Sequence, residues 1–382
     1  MKKSLFFGIN INMTTKEKVL KLLMEAKGKA VSGEVLAAEC SVSRAAVWKA
    51  INSLREAGSA IEGTTNGGYV LADNDIFTPE LFSETVSSRF PELSECHIEC
   101  FKEIDSTNTY AKRLLAECGN LRDSNGQLTE AGKKYHRSVI VAEKQTAGRG
   151  RLGRTFVSPE KTGIYISVIY APKGGITNPA RLTASAAVAI CRAIKNVLGQ
   201  LPEAADLEPQ IKWINDIFVG GKKVCGVLAE GVANFESGMI EAAVVGMGIN
   251  IKKNKTAFEG ELADVVGTLE DALSQTSPDA LASSISRVQL ATEIAGQVLK
   301  IFEEDSSSPA AHKEIIKEYK EASFLLGQEL TVYPLIGDQK SSYKAIATDI
   351  DENAGLIVTL PDGTKRTLSS GEVTLKSSSL AK

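Results

Sequence analysis

The chain has 382 residues, 43% hydrophobic and 24% charged, with a formal net charge of −3. This balance excludes a chain disordered throughout, which lacks the apolar side chains to offset the entropy of ordering, and predicts two or three packed domains. It predicts a soluble protein, since no stretch approaches the roughly 18 uninterrupted apolar residues a bilayer requires.

Six cysteines (Cys40, Cys96, Cys100, Cys118, Cys191, Cys225) occur without C-x-x-C spacing beside only three histidines. Reduced thiols in the cytoplasm follow, with no metal site. The opening "MKKSLFFGININ" lacks a long apolar core and a small-residue cleavage site, so it reads as an extension rather than a signal peptide.

From Thr14 the pattern is helical. Val19, Leu20 and Leu23 share a face, Ser32 caps a second helix, and Ser43 caps a third in which Val47, Ala50, Ile51 and Leu54 recur at helical spacing. Asn66, Gly67 and Gly68 then fit a hairpin turn. Three helices and a hairpin make a winged helix-turn-helix over residues 14–75. Its third helix would enter a DNA major groove, with Ser43, Arg44, Trp48, Lys49 and Asn52 as the candidate contacts. Eight cations against six carboxylates between Thr14 and Leu71 support this only weakly. Such a head needs dimerisation for tight binding, because affinity grows with the phosphates engaged. A protein-interaction module is the alternative.

Residues 76–322 alternate strands with helices. "CHIECFKEIDSTNTYAKRLLAE" reads as a strand, a polar turn and a helix from about Thr109, and Gly119 to Arg137 reads as an exposed loop or insertion. After the strand "SVIVA" comes "AGRGRLGR", whose Gly148, Gly150 and Gly153 spell G-x-G-x-x-G. A dinucleotide-binding turn must open into a helix, yet Pro159, Gly163 and a β-rich run follow. What remains is a Gly/Arg loop between two strands, suited to phosphate oxygens or simply a solvated basic loop. "IKWINDIFV" predicts one strand with Lys212 and Asp216 on the same face, "GGKK" a hairpin turn, and "AAVVGMGINI" a strand ending in glycines. Lysine in that setting is otherwise an edge-strand charge. Residues 323–382 hold short strands and predict a small β-barrel.

The motifs "DSTN" (Asp105 to Asn108), "EKQTAGRGRLGRTFVSP" (Glu143 to Pro159), "GIYIS" (Gly163 to Ser167), "KWINDI" (Lys212 to Ile217), "KKVCGVLAE" (Lys222 to Glu230) and "GMGIN" (Gly246 to Asn250) stand in one order. That order and spacing resemble the biotin protein ligases. With the winged helix ahead and "SSGEV" behind, the chain from about Thr14 resembles the bifunctional bacterial class that is both ligase and biotin-operon repressor.

The resemblance implies an α/β (α+β) fold: winged helix-turn-helix, central mixed-sheet catalytic domain and a C-terminal SH3-like barrel. It implies that biotin and ATP, with Mg²⁺, give biotinoyl-5′-AMP, and that a lysine of a biotin carboxyl carrier protein then takes the biotinoyl group. Lys212, Arg149 and Arg151 are the implied catalytic residues. For biotin the resemblance implies Ser106, Thr107, Asn108, Gln145, Gly148, Arg149, Tyr165, Ser167, Lys212 and Gly226. For the nucleotide it implies Arg149, Arg151, Arg154, Phe156, Asn215, Asp216 and Asn250, with the arginine loop closing over the adenylate. Operator DNA and a ligand-promoted homodimer are the implied partners. Ile214 replaces the family's usual Pro, and Phe156 its usual Trp. Cys225, beside the ligand pocket, implies thiol sensitivity. A lipoate ligase and a non-catalytic biotin-sensing regulator are the rival readings.

Overall fold

A computed structural model describes residues 13–26, 28–57, 59–64, 67–73, 75–204, 206–234, 238–253, 264–276, 285–333 and 341–375. The opening extension 1–12 and Asn66 of the expected hairpin turn lie outside the described residues. Residues up to Glu95, with Ser286–Val288, form one compact unit; Cys96–Ile285 with Gln289–Lys382 form another.

In the first unit, α1 (Thr15–Glu25) starts at a reciprocal cap, Thr14 accepting from Glu17 N–H while the Glu17 carboxylate accepts from Thr14 N–H. Helices α2 (Gly33–Cys40) and α3 (Arg44–Glu56) start at Ser32 and Ser43, each hydroxyl accepting an N–H three residues on. The apolar face read from the sequence, Val47, Ala50, Ile51 and Leu54, is buried. Strands β1 (Ala60–Thr64) and β2 (Gly68–Asp73) pair as the wing, and Arg55 Nε donates to Ile61 O at 2.8 Å to hold it on α3. Helix α4 (Pro79–Arg89) also belongs to this unit, packed on α1 with Lys16–Glu80 and Lys21–Glu84 ion pairs.

The second unit is built on β3 (Ile98–Phe101), α5 (Thr107–Glu117), α6 (Glu130–Tyr135), β4 (Val139–Ala142), β5 (Gly163–Tyr170), α7 (Pro179–Leu198), β6 (Gln210–Lys212), β7 (Asp216–Val219), β8 (Lys222–Ala233) and β9 (Ile240–Asn250). Its strands order as β3-β4-β5-β9-β8-β7-β6, with β3 and β4 parallel and the other neighbours antiparallel. The Ala-rich α7 packs on β7, β8 and β9, as its small residues predict. Helices α8 (Leu269–Thr276), α9 (Arg287–Ser307) and α10 (Pro309–Ala322) follow. Then β10 (Glu329–Tyr333), β11 (Tyr343–Ile350), β12 (Leu356–Thr359), β13 (Lys365–Leu368) and β14 (Glu372–Leu375) form an antiparallel sheet ordered β13-β12-β11-β10-β14. Among the described residues its outer strands β13 and β14 share no ladder, β14 returning to pair with β10.

Three local expectations are corrected. The segment Gly119 to Arg137 is not a loose loop: an Arg122↔Leu128 bridge and α6 fold it, and Leu121, Leu128 and Tyr135 pack with Ala111, Leu115, Ile140 and Ile169. Helix α5 starts at Thr107 rather than Thr109, because Ser106 caps it. "IKWINDIFV" is not one strand but a hairpin, β6 turning through Trp213, Ile214 and Asn215 into β7.

Candidate active site

Glycines make room for the site. Gly226 and Gly248 face each other across β8 and β9, and the Phe156 ring lies over them so closely that a Cβ on Gly248 would stand 2.4 Å from it. Any larger residue would displace the ring. Around this floor is a cavity of about 600 Å³, bounded by the start of α5, the arginine loop, the β6–β7 hairpin and the start of β14.

The hairpin sets the electrostatics. Its register places Lys212 opposite Asp216, so the two are neighbours by cross-strand pairing and not by alternation. Yet Asp216 pairs with Lys223, Oδ1 to Nζ at 2.7 Å. Among the described residues Lys212 is the one cation lining the cavity that forms neither an ion pair nor a hydrogen bond. Burial pushes its pKa below the ordinary 10.5; Asp216 opposes that and Lys223 reinforces it. An ammonium that is desolvated and unpartnered is poised for an incoming anion.

The turn that carries Lys212 is held at every residue. Trp213 Nε1 donates to Ala354 O at 2.8 Å, Tyr319 Oη donates to Ile214 O at 3.1 Å, and Asn215 Nδ2 donates to Val227 O at 3.1 Å. Ala354 lies in the β11–β12 turn and Tyr319 in α10, so the last sheet and its preceding helix both brace the hairpin.

The arginine loop is a small stem, with Gly150 N–H donating to Arg154 O at 2.7 Å and Phe156 N–H donating to Gly148 O at 2.9 Å. As the β-rich sequence implied, no α-helix opens here; Arg151–Gly153 makes one 3-10 turn through a left-handed Leu152, φ 63°. Its three arginines reach three places. Arg149 lies 3.3 Å from Glu230, Arg151 donates to Asn215 Oδ1 at 2.8 Å, and Arg154 donates to Glu372 at 2.8 and 2.9 Å.

At the other end Ser106, Thr107, Asn108 and Gln145 line the cavity, Thr107 N–H donating to Gln145 Oε1 at 2.9 Å. Arg149, Arg151, Arg154, Phe156, Lys212, Asn215, Asp216, Gly226 and Asn250 line it too, so the spacing along the chain did converge on one place. Three expected biotin residues do not line it. Ser167 is fully buried behind Thr107 and Asn108; Tyr165 is buried and donates to Pro159 O at 2.9 Å; a Cβ on Gly148 would stand 2.3 Å from Phe156 O. Ser167 and Gly148 support neighbours that do line it, and the Tyr165 ring stands edge-on to Phe156, 6.4 Å between centroids. Cys225 is also corrected: it is fully buried, outside the lining, and burial holds its thiol far above the ordinary range, so the expected thiol sensitivity has no accessible thiolate behind it.

Lys223, Glu230 and Glu372 were missed. The first read as hairpin-turn charge, and the other two stand inside "KKVCGVLAE" and "SSGEV" without any role implied for them. Burial raises the Glu230 carboxyl, but hydrogen bonds from Lys112 and Asn108 and the charges of Lys112 and Arg149 outweigh it, leaving its pKa below the usual range. Among the described residues no cluster of three metal-ligating side chains occurs. A Mg²⁺ arriving with ATP would therefore be held chiefly by phosphates; Asp216 and Glu372, the carboxylates lining the cavity, are already ion-paired.

In the first unit, Arg44, Trp48 and Lys49 are exposed on α3, with Trp48 57% accessible, and Asn52 is half-buried. Ser43 Oγ accepts from Ala46 N–H at 3.2 Å as the cap, which leaves its proton available.

Residues 102–250 match the model of the biotin/lipoate A/B protein ligase family, and residues 15–70 match a helix-turn-helix domain. The chain is 32% identical over 262 residues to the bifunctional ligase/repressor BirA of Bacillus subtilis, covering 68% of this chain and 72% of the relative. It is 26% identical over 361 residues to the bifunctional ligase/repressor BirA of Escherichia coli, covering 94% and 97%. The fold is similar to that of a biotin protein ligase from Aquifex aeolicus in complex with biotin and ATP, with TM-score 0.53 and 23% identity over 73% of this chain and 98% of that one. The chain therefore belongs to the biotin protein ligase family, in its bifunctional ligase/repressor form with a DNA-binding head.

Proposed function

We propose that the cavity joins biotin to ATP and passes the biotinoyl group to a lysine of a biotin carboxyl carrier protein. The unpaired, half-buried Lys212 carries this reading. A biotin carboxylate oxygen attacks the α-phosphorus, the bond to pyrophosphate breaks, and two anions must meet in one cavity. Lys212 offsets their repulsion and the charge that builds on the phosphoryl oxygens, with Arg149 and Arg151 beside it. In the second step the carrier amine attacks the biotinoyl carbonyl and AMP leaves, which requires no enzyme nucleophile. Ser106, Thr107, Asn108 and Gln145 offer biotin's polar end neutral hydrogen-bonding groups, while Phe156, Asn215 and Asn250 serve the nucleotide. Closure of the arginine loop keeps water from the mixed anhydride.

The division into 14–75, 76–322 and 323–382, a cytoplasmic location and a ligand-promoted homodimer complete the proposal. Residues 14–75 would bind operator DNA through Ser43, Arg44, Trp48, Lys49 and Asn52. No helix among the described residues is long and apolar enough to cross a membrane, which agrees with that location. Incubation with biotin, ATP, Mg²⁺ and a carrier domain should yield a biotinoylated carrier by mass spectrometry. An unmodified carrier, with adenylate formed, would limit the protein to the first step.

A further inference from the structure

Glu230 does not line the cavity, yet two groups that do, Asn108 and Arg149, converge on its carboxylate together with Lys112 from outside it. Lys112 Nζ donates to Oε1 at 2.6 Å, Arg149 Nη1 lies 3.3 Å from the same oxygen, and Asn108 Nδ2 donates to Oε2 at 2.9 Å. Asn108 Nδ2 also donates to Leu228 O at 3.2 Å. Both amide protons thus go to acceptor-only partners, and Oδ1 must point the other way. There it is wedged against Gly246, where a Cβ would stand 2.2 Å from it.

The orientation propagates. Ser167 Oγ is 2.7 Å from Asn108 Oδ1 and 2.7 Å from Thr107 Oγ1. Oδ1 can only accept, so Ser167 gives its one proton there and accepts from Thr107. The other acceptor within reach of Thr107, Gln145 Oε1 at 3.2 Å, also lies inside the protein framework. Gln145 itself is fixed, since its Nε2 donates to Ser158 Oγ at 2.9 Å. Thr107 therefore spends its proton on the framework and turns lone pairs to the cavity it lines.

We propose that Glu230 is a positioning residue that, through Asn108 and Ser167, keeps Thr107 an acceptor and so selects an acid whose polar end presents an N–H. The inference rests on biotin occupying this cavity, where its ureido N–H is that donor.

Glu230→Gln tests it. Lys112 and Arg149 demand an oxygen on their side, so the new amide nitrogen falls towards Asn108, which must turn its own oxygen outward. The hydroxyl chain then reverses, and Thr107 loses its 2.7 Å acceptor in Ser167, keeping only the longer Gln145 Oε1 contact at 3.2 Å to hold its proton off the cavity. By biotin-dependent pyrophosphate exchange, E230Q should show a biotin KM about tenfold higher with kcat within about twofold, the worth of one hydrogen bond. Its preference for biotin over biotin methylated on the ureido nitrogens should shrink in step. Ser167→Ala, which cuts the chain midway, should blunt the same preference, and Lys112→Met, which leaves the carboxylate in place, should not. An unchanged biotin KM and preference in folded E230Q, or equal losses in E230Q and K112M, would overturn the proposal. No exchange by the unmodified protein would instead remove the biotin assignment itself.

Discussion

Lys212 stands opposite a carboxylate without pairing with it, because Lys223 reaches Asp216 first. The two lysines therefore have different tasks. Lys212→Ala should cut adenylation at least about a hundredfold, as loss of a preorganised cation at a developing charge does, while the far-ultraviolet circular dichroism stays unchanged. The alkaline limb of kcat/KM should report loss of the Lys212 proton at a midpoint below 10.5, since burial favours the neutral amine in the free enzyme. Lys223→Ala removes a repelling charge and releases Asp216 towards Lys212. Both changes raise that midpoint, and the rate below it should fall because Lys212 is now paired. A midpoint unmoved by K223A would show that Asp216 does not communicate with Lys212. Residue types were legible in the sequence to this extent: Lys212, Phe156 and the loop arginines carry implied roles, whereas Lys223, although inside "KKVCGVLAE", reads only as part of the "GGKK" hairpin turn.

At the scale of elements, the hairpin joining β6 to β7 shows why periodicity misled. Trp213, Ile214 and Asn215 include neither Gly nor Pro, so nothing local announces a turn, and an apolar run reads as continuous strand. The turn is imposed by distant partners, Ala354, Tyr319 and Val227, which no local window contains. The same holds for Gly119 to Arg137, whose short elements are too brief to show a period but dock on α5 and β4. Trp213→Phe keeps the buried ring and removes the N–H, leaving Ala354 O without that donor. Loss of about 1 kcal/mol of stability is expected, with kcat for adenylation falling more than biotin affinity. Equal affinity and kcat losses would mean the β11–β12 turn supports the fold and not the placement of Lys212. Glu372→Gln, at the start of β14, should loosen Arg154 and let biotinoyl-AMP escape into solution several-fold faster, as seen by rapid filtration; an unaltered escape rate would confine that ion pair to the surface.

For the whole molecule, the order winged helix, mixed sheet and terminal sheet of short strands was readable because each part carries its own pattern: helical period with serine caps, long buried strands, and short strands between turns. Arg44→Ala with Lys49→Ala should lower operator affinity and flatten the dependence of log affinity on log salt by about 1.8 if each cation meets one phosphate. Biotin transfer by that variant should be unchanged. An unchanged salt slope would place the DNA face elsewhere or give the head a protein partner. Pyrophosphate exchange into ATP, with biotin or lipoate as the added acid, tests most directly whether this one cavity activates biotin. Exchange with biotin, none with lipoate, and loss of exchange in K212A is the predicted result; a folded protein that binds biotin but exchanges nothing would contradict it and leave a regulator that senses biotin without turning it over.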